Sequence, residues 1–216
     1  MSAYPHLWLR NIDHENYPMR LAEIATQLNS DNAAGLGLPP LIMVTDSVRL
    51  PDPASVALHL PNGSAILLRD YDLAERDTLA VRLANIARQR GLKLLIAGDA
   101  HLAIRVNATG VHFPENQISE VRRWRYRKNW LITVAAHSRS ALSAAARCGA
   151  NAALLSPIFS TDSHPDAPVL GANGFSLLAD RAGLPVYGLG GISNINAHRL
   201  LTTPAVGIAA IGAFIG

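Results

Sequence analysis

Cysteine is almost absent. Cys148 is the only one in 216 residues, which excludes an internal disulfide and a zinc cluster built on paired thiolates. A reducing compartment is expected. Charged residues are also few, at 16%, and aromatic residues make up 6%. With 49% hydrophobic residues, the composition excludes a largely disordered chain and suits a sheet buried on both faces. No apolar run approaches about 18 residues, and Met1–His6 does not open a signal peptide, so no membrane partner is expected and a cytoplasmic location is.

The positive charge is local. Net charge is +3, yet Arg122, Arg123, Arg125, Arg127 and Lys128 alone contribute five charges, and the rest of the chain sums to −2. Trp124, Tyr126 and Trp130 interleave with them, a mixture that suits phosphates and bases. A single basic outer helix is usually a solvated face, so nucleic acid is not an expected partner.

The length of 216 residues fits one alternating α/β domain. Eight short apolar runs read as strands: Pro40–Thr45, Ala65–Arg69, Lys93–Ala97, Gly110–Phe113, Leu131–Ala135, Ala152–Ser156, Pro185–Leu189 and Val206–Ile211. They lack strict alternation, as strands covered on both sides do. Helical stretches separate several of them: Leu73–Arg90, Ser140–Cys148 before Gly149, Gly174–Arg181, and a shorter Asn194–Leu201 with Ser193 as N-cap. Pro51–Gly63 and Leu102–Val106 leave room only for trimmed helices. The expected fold is a single (β/α)8 TIM barrel over residues 39–216, lacking its last helix because the sequence stops at Gly216. Residues 1–38 read as an N-terminal extension and linker, with a helix at Pro18–Asn29 over the barrel bottom.

Parallel barrels carry their chemistry at the C-terminal ends of the strands. Gly188, Gly190 and Gly191 end the seventh strand and Gly212 follows the eighth, where backbone can approach a phosphate closely. The long polar loop after strand six offers Ser160, Thr161, Ser163 and His164 as donors. His137, after strand five, is either a proton-transfer group or a packing residue, whereas His112 inside strand four reads as packed and hydrogen-bonded. Arg69 suits an anionic substrate and Asp99 a metal or a proton; the alternative is an ion pair between them, and Asp46 joins the group.

These segments resemble the thiamine-phosphate synthase and TenI superfamily. The likeness runs from Pro40 to Phe214: Leu41–Asp46, Leu68-Arg69-Asp70, Gly110-Val111-His112, His137-Ser138, Gly149-Ala150 followed by Ser156–Phe159, and Leu189–Ile192 followed by Asn196-Ala197. The resemblance implies a thiamine-biosynthesis enzyme that joins an aminopyrimidine diphosphate to a thiazole phosphate, with release of pyrophosphate. It implies Mg2+ as cofactor, with Asp99 as its ligand. It also implies Arg69 on the diphosphate, Gly171, Gly190 and Gly191 around the thiazole phosphate, and His137 in TenI-type proton transfer. The alternatives are a thiazole tautomerase or a non-catalytic binder of the phosphorylated thiazole or of thiamine phosphate. Small phosphorylated thiazole and pyrimidine substrates are the expected partners, with homo-oligomerisation left open. The sequence departs from the family pattern at Tyr71, Gly98, Glu115-Asn116-Gln117, Ala135 and the Asp162-Ser163 region.

Overall fold

The computed structural model describes residues 21–161, 168–211 and 213. Eight parallel strands close into a barrel in sequence order. They are β1 (Leu41–Val44), β2 (Ala65–Leu68), β3 (Lys93–Ala97), β4 (Gly110–Phe113), β5 (Leu131–Ala136), β6 (Ala152–Leu155), β7 (Val186–Leu189) and β8 (Ile208–Ala210). Each lies within a residue or two of its predicted run. Closure is completed by the pairing of β1 with β8, Leu41 opposite Ile208 and Met43 opposite Ala210.

Side chains alternate between two buried layers. Ile42, Val44, Ala65, Leu67, Leu95, Ala97, Leu154 and Tyr187 share the barrel interior. Their neighbours, among them Met43, Ile66, Leu94 and Ile96, pack outward beneath the helices. The connections expected to hold only trimmed helices do so, with α2 (Pro53–Ala57) after β1 and α4 (Ala100–Arg105) after β3, while the full helix predicted after β2 is α3 (Arg76–Arg90). The face of α3 formed by Ala80, Leu83, Ala84, Ile86 and Ala87 is buried, and Gly91 ends the helix in the left-handed conformation at φ 64°. On the other side of the barrel lie α5 (Val121–Trp124), α6 (Arg139–Cys148) and α7 (Gly171–Ala179).

The first helix, α1 (Leu21–Asn32), does not cover the barrel bottom as the sequence suggested. It runs along the flank, burying Leu21, Ile24, Ala25 and Leu28 in the cluster that contains Leu41 and Ile208. Asparagine side chains hold it there. Asn29 Nδ2 donates to the Val206 carbonyl at 2.9 Å and Asn32 Nδ2 to the Ala205 carbonyl at 2.9 Å, while the Leu21 N–H donates to Asn194 Oδ1 at 3.0 Å. The helix therefore spans from the mouth-side loop after β7 to the start of β8. The predicted helix after β7 is also smaller, a 3-10 turn at Ala197–Leu200. Asn196, not Ser193, is the residue before this turn, and its side chain braces the preceding loop instead of capping: Oδ1 accepts from the Ser193 N–H and Nδ2 donates to the Gly191 carbonyl.

Polar side chains also sit in the interior, Tyr187, His112 and Thr133 among them. Tyr187, fully buried, donates its hydroxyl to the Pro39 carbonyl at 2.7 Å, and burial pushes its phenol well above the usual range. His112 is packed as expected, with Nδ1 2.9 Å from Thr133 Oγ1. Burial, reinforced by the Arg69 charge, lowers its pKa from 6.5 to about 3.

Tyr187→Phe leaves the buried Pro39 carbonyl without its donor, and urea unfolding should show a loss of about 1–2 kcal/mol. An unchanged midpoint would contradict a contribution from this bond. For His112 the unfolded chain takes up a proton near pH 6.5 while the native imidazole stays neutral down to about pH 3. Its contribution to stability is thus complete above pH 6.5 and declines as pH falls towards 3. Thermal melts from pH 7 to pH 4 should fall less steeply for His112→Asn than for the native protein; equal slopes would refute the assignment.

Candidate active site

The interior alternation, carried one or two residues past the strand ends, brings Asp46, Arg69, Asp99, His137, Ser156 and Gly191 to the C-terminal mouth. Asp46 is the most heavily engaged of them. Its Oδ2 receives Arg49 Nη2 at 2.6 Å, Arg49 Nε at 3.1 Å and Arg69 Nη2 at 2.6 Å, while Oδ1 receives the Arg49 N–H at 3.0 Å. Burial alone would raise its pKa; hydrogen bonds from Arg49 and the charges of Arg49 and Arg69 outweigh that and hold it at about 2. Asp46 is therefore an anion across the physiological range. The ion pair of Arg69 is made with this residue rather than with Asp99.

A second carboxylate braces the same corner. Asp70 accepts a short hydrogen bond from the Thr45 hydroxyl and the Ser47 N–H at 2.5 Å, and Thr45 Oγ1 in turn accepts the Arg69 N–H at 3.0 Å. These bonds fix the backbone from which Asp46, Arg49 and Arg69 project. One strand further round, Arg76 donates Nη2 to the Ala97 carbonyl at 2.5 Å, and its guanidinium lies over the Tyr71 ring, 5.8 Å from the centroid. Burial raises the Tyr71 phenol, while the charges of Arg69 and Arg76 both oppose that shift.

His137 leaves β5 with its backbone N–H on Glu115 Oε2 at 2.7 Å. Its Nδ1 is 3.0 Å from the Ser156 carbonyl oxygen and 3.2 Å from Ser156 Oγ. A carbonyl can only accept, so Nδ1 carries the proton and the neutral ring keeps its lone pair on Nε2. The capping role falls to Ser138, whose hydroxyl accepts the Ala141 N–H at the start of α6, leaving the exposed imidazole available.

The glycines divide. At Gly188 a Cβ would meet Ile192 Cδ1, Leu200 Cδ1 and Ile158 Cγ1 at 3.4–3.6 Å; it faces outward into apolar packing, and the expectation that it binds phosphate is corrected on that ground. Gly190 and Gly191 have φ of 95° and 66°, but the space a side chain would need is filled by the loop after β6. A Cβ on Gly191 would lie 2.3 Å from the Ser160 carbonyl oxygen, and the Ile158 and Phe159 N–H groups donate to Leu189 and Gly190. These two glycines thus dock the β6 loop onto β7. That loop carries Ser160, exposed, and Thr161, half-buried, to the rim beside them. Gly171, at φ 62°, lies beside open space, since a Cβ there would meet nothing within 4 Å, and its N–H is bonded to the Ile158 carbonyl. Gly212, Ser163 and His164 lie outside the described residues.

Asp99 Oδ1 caps α4 by accepting the Leu102 N–H at 2.8 Å. Glu115 is held on His137, Asp46 on two arginines and Asp70 on Thr45 and Ser47. Among the described residues no three acidic or histidine side chains form a metal-binding group. Asp99 keeps Oδ2 outside any hydrogen bond or ion pair among the described residues, and it is the carboxylate that would face a Mg2+ ion; no step of the chemistry is derived through a metal.

Sequence reading missed Arg49 and Arg76. Arg49 had a local signal in its three-residue spacing from Asp46; Arg76 had none, because only the start of α3 brings it to Ala97. The basic stretch outside the mouth is self-engaged: Arg123, Arg125 and Arg127 lie over Trp124, Tyr126 and Trp130, and the two tryptophans stack at 5.6 Å. Among the described residues no helix is long and apolar enough to cross a membrane.

Residues 41–214 match the family model described as thiamine monophosphate synthase. A putative thiamine-phosphate synthase 2 of Aquifex aeolicus is 32% identical over 183 residues, covering 82% of this chain and 98% of that one. The thiamine-phosphate synthase of a Roseiflexus species is 32% identical over 171 residues, 77% of this chain and 72% of its own. Among solved structures, a thiamine phosphate pyrophosphorylase from Pyrococcus furiosus superposes with a TM-score of 0.70 at 26% identity, over 82% of this chain and 87% of that one. Fold and sequence agree: the chain belongs to the thiamine monophosphate synthase family.

Proposed function

We propose that the protein joins an aminopyrimidine diphosphate to a thiazole phosphate, forming thiamine phosphate and releasing pyrophosphate in the cytoplasm. Relatives that bear the synthase name support the reaction class. The observation that carries the reading is the division of the mouth into two unlike rims. One, from β1 to β3, is lined with guanidinium groups on Asp46; the other, from β6 to β7, is glycine backbone with hydroxyl side chains.

On this reading Arg69 holds the diphosphate, and Ser160, Thr161, Gly171, Gly190 and Gly191 surround the thiazole phosphate. The bond from the pyrimidine methylene to the diphosphate oxygen breaks, and the diphosphate keeps the electron pair. The thiazole nitrogen then supplies its lone pair to the methylene carbon and forms the C–N bond. Arg69 stabilises the growing charge on the leaving group.

His137 favours a second reading, a TenI-like shift of a double bond within the thiazole. Its Nδ1 is committed to the Ser156 carbonyl, so Nε2 is free to take a proton from one ring position and return it to another.

Pure protein given both synthase substrates in Mg2+-containing buffer should yield pyrophosphate and thiamine phosphate in equal amounts. Arg69→Ala should lower kcat/KM for the diphosphate substrate by about 100-fold. No product above background, with thiazole-phosphate binding intact, would sink the synthase reading. His137→Gln should abolish thiazole isomerisation, followed by NMR, if the second reading holds; retained isomerisation would remove His137 from it.

A further inference from the structure

Arg76 is the cation at the mouth whose surroundings are least complete. Its Nη2 bonds the Ala97 carbonyl, but its Nε is buried with no hydrogen-bond partner. A buried cationic donor without an acceptor is costly, and although Nε is closed off, Nη1 of the same guanidinium is neither bonded nor buried among the described residues. The neighbouring arginines also hold donors in reserve. Arg69 uses only Nη2 of its side chain on Asp46, and Arg49 uses Nε and Nη2, so Nη1 of both and Nε of Arg69 are unengaged among the described residues.

Tyr71 ties these cations together. Its half-exposed ring carries the Arg76 guanidinium on one face and feels the charges of both Arg69 and Arg76. Gly98 makes the room: at φ 69° it has no side chain, and a Cβ there would stand 3.0 Å from Tyr71 Cε1. The carboxylates of this corner are turned inward, Asp46 onto two arginines and Asp70 onto Thr45 and Ser47. With Asp99 at the end of β3 counted, three guanidiniums face three carboxylates, so what the rim offers an anion is its unengaged N–H donors rather than a surplus of charge.

We propose that Arg49, Arg69 and Arg76, the first two joined through Asp46 and the last two beside Tyr71, form one anion-binding rim that takes a diphosphate group as the bare anion, with Arg76 as a substrate-binding residue. This deepens the synthase reading and rests on it for the identity of the substrate. Guanidinium groups suit the task because each can offer two parallel N–H donors to a phosphate, and a divalent ion held by the protein is then not needed to gather the charge.

Calorimetric titration with inorganic pyrophosphate, in EDTA and again with Mg2+, tests this. The native protein should bind pyrophosphate in EDTA. Arg76→Gln should weaken that binding about tenfold, the loss of one charge-assisted hydrogen bond, and Arg76→Lys should recover part of it. Arg49→Gln, on an independent connection, should also weaken it about tenfold and keeps the test open if Arg76→Gln fails to fold. Binding within twofold of native for a folded Arg76→Gln, or native binding seen only with Mg2+, overturns the proposal. Arg76-dependent pyrophosphate binding without any thiamine phosphate formation would uphold the rim and reject the synthase reading. Thiamine phosphate formation with unaltered pyrophosphate binding in Arg76→Gln would do the reverse.

Discussion

The two-residue alternation of a closed parallel barrel is the constraint on which the site depends. It leaves no freedom in which side chains reach the axis: once Val44, Leu67, Ala97 and Leu154 fill the interior, Asp46, Arg69, Asp99 and Ser156 must stand at the mouth. A slip of one residue in any strand would exchange its interior and exterior sets. Tyr187 and His112 resist such a slip from inside, since each has a hydrogen-bond partner only in the observed register. The burial that stabilises the barrel and the placing of the charged groups are therefore one fact seen at two levels.

The same closure brings charges close enough to need balancing, and the two rims solve this differently. Between β1 and β3 the solution is side-chain pairing, with Asp46 as the internal counterion of Arg49 and Arg69. Such a shared carboxylate keeps the guanidiniums fixed in direction, so an arriving anion meets donors that lose little freedom on binding. Between β6 and β7 the solution is backbone against backbone. Gly190 and Gly191 admit the carbonyls of the β6 loop to distances that any side chain would forbid, and this holds the loop that carries Ser160 and Thr161.

Strand positions were legible in the sequence because a buried strand needs an uninterrupted apolar run, and runs such as Lys93–Ala97 and Gly110–Phe113 have little else to become. Arg69, Asp99 and His137 followed from those runs by position alone. What was not legible depends on contacts made far along the chain. Gly188 read as part of a phosphate loop because its neighbours are glycines, yet the alternation turns it outward onto Ile192 and Leu200. Helix α1 read as a bottom cover because nothing local says that Asn29 and Asn32 will meet carbonyls at Val206 and Ala205, more than 170 residues later.

Arg76 shows why a site can be half visible. Its sequence neighbourhood, the start of an amphipathic helix, predicts a solvent-facing arginine. Its actual position is decided by three separate facts: where α3 begins, the missing side chain at Gly98, and the flat ring of Tyr71 on which the guanidinium rests. None of these residues announces the others in the sequence. Fixing the Tyr71 ring against Gly98 turns the arginine back over the strand ends, where the Ala97 carbonyl holds one nitrogen and the buried Nε is left without an acceptor. The place of Arg76 in the rim thus depends on the absence of one Cβ as well as on the arginine itself.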